Sequence, residues 1–291
     1  MGMLTRFVKQ LYSLYVVIAL IPLVGCVGAD LLPGRSQAGW YAGDAGWAYS
    51  TVDTGTFFLT TALSPFLATG ETLTVYLEGD GRAFVGKRTP SADPTPGTPT
   101  ALRMAVSQSG PVGWIARPCQ YTRAETARGC DVRYWTSHRY APEVIESVGR
   151  AIDRLKARSG AQSIVLVGYS GGGAVAALLA AQRADVTGFV TVAGNIDIGF
   201  WVARDKLAPL AGSLDPADYA DRLSKVPQVH FTGGKDSVVT SDVAEAYMKK
   251  LERGAPARVV KLAEFDHHCC WVDAWLRLLQ RPELNTIPDW R

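Results

Sequence analysis

Apolar residues follow two kinds of pattern along this chain: short continuous runs and longer stretches with helical spacing. The runs are rich in Val, Ile and Leu, which is typical of β-strands that are covered on both faces. They predict strands at 56–63, 72–79, 112–118, 163–169, 188–194, 226–233 and 257–264. Helical spacing predicts helices at 142–159, 172–183, 241–254 and 270–281.

Two of these helices have a well-defined apolar face. In the helix predicted at 142–159 the face consists of Val144, Ile145, Val148, Ile152 and Leu155. In the last helix a buried stripe is expected from Trp271, Trp275, Leu278 and Leu279. The alternation of strands with helices predicts one α/β domain, with a mostly parallel sheet and helices on both faces.

Three segments lack these patterns. Residues 91–100 are Pro-rich and are predicted to be a loop. Residues 195–225 form a long connection between two predicted strands, which is typical of lids and binding loops. Residues 26–52 are rich in Gly and aromatic residues without periodicity, so we expect a tether and an irregular lead-in before a folded domain at 53–291.

The N-terminal segment has the composition of a secretory signal. Arg6 and Lys9 precede an apolar run at 15–23, which is too short for a stable membrane span and contains Pro22. The signal ends in Leu-Val-Gly-Cys at 23–26, which resembles the bacterial lipobox.

The lipobox predicts a signal peptide at 1–25 and a lipid-anchored protein that begins at Cys26 and faces the periplasm. Val27 replaces the aspartate that retains such lipoproteins at the inner membrane, so the outer membrane is expected. In the alternative interpretation the signal is an ordinary one, and Cys26 is incidental.

Composition narrows the choice of partners. The 291 residues include 30 Lys and Arg against 27 Asp and Glu, for a formal charge of +3. Because no long basic run is present, a nucleic-acid interface is not indicated. A membrane contact through the N-terminal lipid is the expected macromolecular interaction.

Export also changes the interpretation of the cysteines. Four remain after Cys26, and an even number in an oxidising compartment indicates disulfides. Cys119 and Cys130 bracket a short polar loop, so a bridge between them is the first expectation. Pairing of either with Cys269 or Cys270 remains open.

The strongest local signal for chemistry is Gly-Tyr-Ser-Gly-Gly at 168–172. It follows an apolar run and opens a helix of small residues, which is the setting of a nucleophile elbow. This setting predicts Ser170 as a nucleophile and the backbone N–H of Gly171 as an oxyanion donor. The alternative is a Gly-rich turn with a capping serine.

A serine nucleophile needs a base and an acid that orients the base. Asp236 lies in the loop after the strand at 226–233, and His267 and His268 follow the strand at 257–264. The chain order Ser, Asp, His is that of α/β-hydrolases. Asp236 is therefore the predicted acid, although it could be a turn residue, and Asp197 is the second choice.

A second oxyanion donor is expected at the end of the strand predicted at 72–79, where the chain continues as Glu-Gly-Asp-Gly at 78–81. Glycines allow backbone N–H groups to point into a site. The predicted donor is the N–H of Asp80; a plain turn is the alternative.

A series of motifs makes the chain similar to a family of bacterial α/β-hydrolase lipoproteins. They are VYLEGDGRAF, SADPTPGTPTALRMA, ARPCQY, YWTSHRYAPEV, LVGYSGGGAVAALLAA, VTVAGNID and DHHCCWVDAW, and they cover nearly the whole mature chain. The resemblance implies an α/β-hydrolase fold without a cofactor and a triad of Ser170, Asp236 and one of the two histidines. Arg82 stands where the family resemblance suggests histidine.

The resemblance also bears on which histidine is the base. In the family this residue lies just after the last strand, commonly behind Gly or Asp, so Asp266-His267 fits and His267 is predicted. His268, three residues before Trp271, is the alternative. Adjacent side chains point apart, so only one of the two can reach Ser170.

Two other interpretations of Asp-His-His-Cys at 266–269 are disfavoured. The four letters name a family of palmitoyltransferases, but these need several membrane spans and a zinc-bound Cys/His domain. A zinc site here would need further ligands such as Cys119 or His138, because neighbouring side chains cannot all converge on one ion. No metal is therefore predicted.

Together these features predict a serine hydrolase that cleaves a small-molecule carboxylic ester through an acyl-enzyme. Thioester or amide cleavage and acyl transfer would use the same residues. The alternative from another class is a non-catalytic binding lipoprotein of the cell envelope that retains the fold.

Overall fold

The computed structural model describes residues 34–68, 71–86 and 88–290, and its centre is an eight-stranded sheet. The sheet consists of β1 (Ala48–Asp53), β2 (Phe58–Leu63), β3 (Thr72–Leu77), β6 (Val112–Ile115), β7 (Ser163–Tyr169), β8 (Val186–Val192), β9 (Gln228–Gly233) and β10 (Ala257–Leu262). A separate hairpin is formed by β4 (Phe84–Val85) and β5 (Thr89–Pro90). Each of the predicted strands is present, which confirms the assignment from continuous apolar runs.

The strands have the order β1-β2-β6-β3-β7-β8-β9-β10. β1 pairs with β2, and β2 with β6, in antiparallel fashion; the pairs from β6 to β10 are parallel. The carboxyl ends of the parallel strands therefore lie at one edge, where open α/β sheets form their sites.

The helices are α1 (Gly34–Asp44), α2 (Thr100–Ser107), α3 (Pro142–Ser159), α4 (Gly171–Ala180), α5 (Ile198–Asp205), α6 (Ala220–Leu223), α7 (Ser241–Met248) and α8 (Trp271–Leu278). Those predicted at 142–159, 172–183, 241–254 and 270–281 correspond to α3, α4, α7 and α8. In the described ranges no helix has both the length and the apolar character needed to cross a bilayer.

Two apolar clusters cover the faces of the sheet. One includes the predicted face of α3, whose five residues are at most 1% exposed. The other includes the predicted stripe of α8, Trp271, Trp275, Leu278 and Leu279, together with residues of α1 and α2. Burial of each large apolar side chain contributes about 1.5–3 kcal/mol, so these faces hold the helices to the sheet.

The expectation of an irregular lead-in is wrong for residues 34–52. These residues form α1 and β1, so the folded domain includes them. The buried positions of α1 are Gln37, Ala38 and Ala42 rather than large apolar residues, and its Gly content disfavours a helix locally. Packing on α2 and β1 outweighs that propensity. The predicted signal, Cys26 and the residues up to 33 lie outside the described residues.

The Pro-rich loop is irregular up to Pro99, but α2 starts at Thr100 and was not predicted. Its eight residues are too few for a clear helical period, although most are buried. The long connection at 195–225 is also partly regular, because it contains α5, α6 and a short 3-10 helix at Pro216–Tyr219.

The structure pairs Cys119 with Cys130, with their Cα atoms 5.5 Å apart, as the short loop predicts. The remaining two cysteines, Cys269 and Cys270, pair with each other. This settles the pairing that the sequence leaves open.

We expect the double substitution Cys119→Ser/Cys130→Ser to lower the free energy of unfolding by about 3 kcal/mol, because the bridge restricts a loop of about 12 residues in the unfolded chain. Urea denaturation of the oxidised protein measures this. The matched control, Cys269→Ser/Cys270→Ser, opens no comparable loop, and an equal loss there would contradict the loop-entropy explanation.

Candidate active site

Ser170 lies in the sharp turn between β7 and α4. Its backbone φ of +51° and ψ of −122° are unusual for a residue with a side chain, and such strain costs on the order of 1–3 kcal/mol. Glycines permit the turn: a Cβ on Gly168 would lie 2.2 Å from the carbonyl oxygen of Gly172. A Cβ on Gly172 would lie 2.3 Å from the carbonyl oxygen of Leu77 on β3. Glycine is therefore required at both positions, because the neighbouring backbone segments approach so closely.

The structure brings Ser170, His267 and Asp236 into one chain of contacts. Ser170 Oγ lies 3.0 Å from His267 Nε2, and His267 Nδ1 lies 2.8 Å from Asp236 Oδ2. The backbone N–H groups of Val238 and Val239 donate to Asp236 Oδ1 at 2.8 and 2.9 Å. The Asp236 carboxylate is fully buried, so these bonds hold it in a single orientation facing the imidazole.

The two alternative residues lie elsewhere. His268 is exposed, and its Nδ1 lies 3.4 Å from the hydroxyl of Tyr169 rather than near Ser170. Asp197 instead caps α5 by accepting from the N–H of Phe200 at 3.0 Å, and Lys250 Nζ lies 2.8 Å from its other oxygen.

Local hydrogen bonds determine the path of the histidine loop. Asp266 Oδ1 accepts from the N–H groups of His268 and Cys269 at 2.7 and 2.6 Å. These two bonds lower the pKa of Asp266. The hydroxyl of Tyr169 donates to the carbonyl of His267 at 2.8 Å, and Trp271 Nε1 donates to that of Asp266 at 2.9 Å. The loop therefore presents His267, and not its neighbour, to Ser170.

The Glu-Gly-Asp-Gly segment packs directly against the elbow. A Cβ on Gly79 would lie 3.3 Å from Ser170 Cβ, and one on Gly171 would lie 2.1 Å from Asp80 Oδ1. Within the described part of the chain, neither the N–H of Gly171 nor that of Asp80 has a hydrogen-bond acceptor. The segment that carries Asp80 is thus packed beside the nucleophile, and both predicted oxyanion donors are unpaired among the described residues.

A charge cluster that the sequence analysis did not assign surrounds the Asp80 carboxylate. Arg117 and Arg139 donate to its two oxygens, each at 2.8 Å, and the hydroxyl of Tyr140 donates at 2.7 Å. Burial alone would raise the pKa of Asp80, but the two arginine charges and the tyrosine bond outweigh it and lower the pKa. The only signal in the sequence was the presence of these residues in ARPCQY and YWTSHRYAPEV.

Glu78 is a second carboxyl group with a structural part in this segment. It is buried, and it accepts from the N–H groups of Gly79 and Ala101 at 3.1 and 3.2 Å and from Trp114 Nε1 at 3.1 Å. It therefore links the loop beside Ser170 to the start of α2 and to β6. Burial raises the pKa of Glu78 to about 7, despite these donors.

Because the folded-state pKa of Glu78 is raised, its ionisation opposes folding. The stabilising contribution of the protonated form is complete below pH 4.5 and is lost as the pH rises to about 7. We expect Glu78→Gln to remove this loss, so that between pH 4 and 8 wild type loses about 3 kcal/mol of stability relative to the variant. Urea titrations at several pH values measure the difference; a pH-independent difference would contradict it.

The nucleophile opens into a cleft of about 1020 Å³. Its walls come from residues 78–86 and 96–103, from α5 and from the segment that leads into α8. Its lining includes the apolar side chains of Phe84, Trp201 and Val238 and the arginines Arg82 and Arg103. The Cys269–Cys270 pair also contributes to the wall. The cleft has room for a small ester with a substantial acyl group.

The side chains of the Asp-His-His-Cys segment at 266–269 have other contacts in this structure. Among the described residues no group of three or more His, Cys, Asp or Glu side chains is placed to hold a metal ion. His267 contacts Ser170 and Asp236, and all four cysteines downstream of Cys26 are paired.

Comparison with known proteins gives matches through structure and not through sequence. No protein-family model matches the chain, and no curated protein matches it. Similar solved structures include an esterase from Pyrococcus furiosus, with a TM-score of 0.58 and 13% identity over 84% of this chain and 92% of that one.

Two larger proteins are similar as well. One is an acylaminoacyl peptidase from Pyrococcus horikoshii, with a TM-score of 0.54 and 12% identity over 76% of this chain and 37% of that one. The other is a puromycin hydrolase, with a TM-score of 0.59 and 14% identity over 82% of this chain and 39% of that one. The chain thus spans well under half of these two proteins.

Identities this low carry no information on substrates. The architecture of this chain, however, clearly agrees with that of these solved structures. The parallel sheet, the helices on both faces and the order of the strand ends that carry Ser170, Asp236 and His267 match what the sequence predicts. The chain is a single-domain protein of the α/β-hydrolase fold.

Proposed function

We propose that the chain is a serine hydrolase that cleaves a carboxylic ester at the bacterial cell envelope. The observation that carries this proposal is the contact chain from Ser170 through His267 to Asp236. A binding protein that merely retained the fold would have no need to keep a strained serine in contact with a histidine.

Each group has a defined task in the proposed reaction. Ser170 Oγ attacks the acyl carbon while His267 Nε2 accepts its proton, and Asp236 orients and stabilises the resulting imidazolium. The N–H groups of Gly171 and Asp80 stabilise the negative charge on the carbonyl oxygen. His267 then gives the proton to the leaving alcohol, and water releases the acyl group from Ser170 by the reverse sequence.

The carboxylic ester is the substrate class that the sequence analysis predicts, and amide cleavage would use the same contact chain of Ser170, His267 and Asp236. The chain corresponds to nearly the whole of an esterase, but to little more than a third of the peptidase and of the puromycin hydrolase.

The envelope location is supported by two features. Leu23-Val24-Gly25-Cys26 fits the lipobox, and the Cys119–Cys130 pair fits an oxidising compartment such as the periplasm. We propose an acylated Cys26 and attachment to the outer membrane.

The test compares p-nitrophenyl esters with p-nitroanilides of the same acyl groups, together with labelling by a fluorophosphonate probe. We expect labelling and preferential turnover of the esters. Equal turnover of the anilides would contradict the ester assignment. Folded protein that is neither labelled nor active would favour the binding lipoprotein.

A further inference from the structure

The start of α1 lies at the rim of the catalytic cleft. A Cβ on Gly34 would lie 2.5 Å from the carbonyl oxygen of Pro96 and 3.5 Å from Cα of Gly97, and both of these residues line the cleft. Arg35 Nε donates to Asp93 Oδ2 at 2.9 Å in the same segment. Gly34 is therefore at the edge of the sheet that carries the carboxyl ends of the parallel strands.

Cys26 precedes Gly34 by only eight residues. Eight residues span at most about 28 Å when fully extended. A compact domain of about 260 residues has a radius of gyration of about 18 Å, and thus a diameter of roughly 45 Å. A lipid on Cys26 would therefore hold the cleft edge near the membrane, because the tether is too short for the opposite end to face it.

The rim has the side chains that a lipid surface accommodates. Phe84 and Val238 line the cleft and are 37% and 42% exposed, and Val85, which is 54% exposed, lies between the cleft-lining residues Phe84 and Gly86. Arg82 and Arg88 are exposed and form no ion pair with any described residue. Apolar side chains insert into the bilayer interface, and arginines are attracted to anionic headgroups.

A competing apolar surface lies at the other end of the molecule. Phe66 and Leu67 are 56% and 69% exposed, in the loop after β2. Because β2 runs antiparallel to β6, and β6 parallel to β3, this loop is at the amino ends of the parallel strands. Contact through this loop would require the tether from Gly34 to run along the full length of the strands, whereas the cleft rim lies beside Gly34. The cleft rim is therefore the favoured surface for contact with the bilayer.

We infer that the cleft faces the leaflet that holds the chain's own lipid anchor, and that its substrate is an amphiphilic ester taken from that leaflet. This inference rests on the proposed function, and specifically on acylation of Cys26. The ester bond of such a molecule lies at headgroup depth, where Ser170 would attack it. The acyl group passes to Ser170 and then to water, while the alcohol part is released with the proton from His267.

The orientation can be tested without relying on catalysis. The lipidated chain is placed in vesicles of phosphatidylcholine and phosphatidylglycerol, with a fluorescent amino acid at either Val85 or Leu67. Quenching by doxyl-labelled lipid is expected to be at least threefold stronger at position 85. Equal quenching, or stronger quenching at position 67, would overturn the orientation. Mass spectrometry of Cys26 is the companion measurement, and an unmodified cysteine would overturn the anchor together with the orientation.

A second arm tests the substrate class. A flexible insert of about 30 residues after Gly28 leaves the folded domain intact, so turnover of a soluble p-nitrophenyl ester should not change. Turnover of a diacylglycerol ester in the same vesicles should fall at least threefold, because the cleft is no longer held at the surface. If the soluble ester is cleaved but the insert has no effect, the membrane substrate is refuted. If neither ester is cleaved, the proposed hydrolase function fails.

Discussion

Replacing Ser170 by alanine is expected to abolish both covalent labelling by a fluorophosphonate and ester turnover, with a loss on the order of 10⁴-fold or more. The acyl group has no other acceptor in the contact chain, because the imidazole of His267 is positioned by Asp236 to serve the Ser170 hydroxyl. The oxyanion donors alone would leave only weak residual catalysis. The turnover rates of wild type and variant on an activated ester measure the loss of activity.

The control for this variant is Ser241→Ala, at the first residue of α7, which has no hydrogen bond to Ser170, His267 or Asp236 within the described part of the chain. It should keep full labelling and turnover. Circular dichroism and the unfolding midpoint should match wild type for both variants, since His267 is the one hydrogen-bond partner of the Ser170 side chain among the described residues. Labelling that persists in Ser170→Ala would mean that another residue is the nucleophile.

The strands and the order of the site residues could be predicted because their signals are local and strong. A continuous apolar run such as 163–169, when it is followed by a helix, is typical of a buried strand in a parallel sheet. A polar residue just after such a run lies at the carboxyl edge of the sheet, and this places Ser170, Asp236 and His267 together without any knowledge of contacts.

The elements that were missed are stabilised by tertiary contacts and not by their own sequence. α1 buries Ala38 and Ala42 against neighbouring elements, and α2 is a short helix whose start is held by Glu78, just after β3. The residue pattern within a single segment contains no information on the elements against which that segment will pack.

The same limit applies to the environment of Asp80. Its N–H could be proposed from the glycines on either side, but the arginines and tyrosine that bind its carboxylate lie 37 to 60 residues further along the chain. The sequence therefore indicated where an oxyanion donor could lie, and the fold supplied the network that holds it there.

The choice between the two adjacent histidines depends on backbone direction, which chain order does not reveal. Asp266 and Tyr169 hold the loop so that the His267 ring lies between Ser170 and Asp236. The exposed His268 lines the cleft instead. The structure thus gives the two rings different surroundings, and the two alanine variants should separate them clearly.

We expect His267→Ala to reduce turnover of an activated ester on the order of a thousandfold or more, because Ser170 then lacks its general base. His268→Ala should change turnover only a few-fold, through the shape of the cleft. The two variants are compared by kcat and KM on one ester, with folding checked by the unfolding midpoint. If His268→Ala is the inactive enzyme and His267→Ala is active, the base assignment is wrong by one residue. A serine hydrolase would still be indicated in that case, but the loop would have to present its second histidine to Ser170 during turnover.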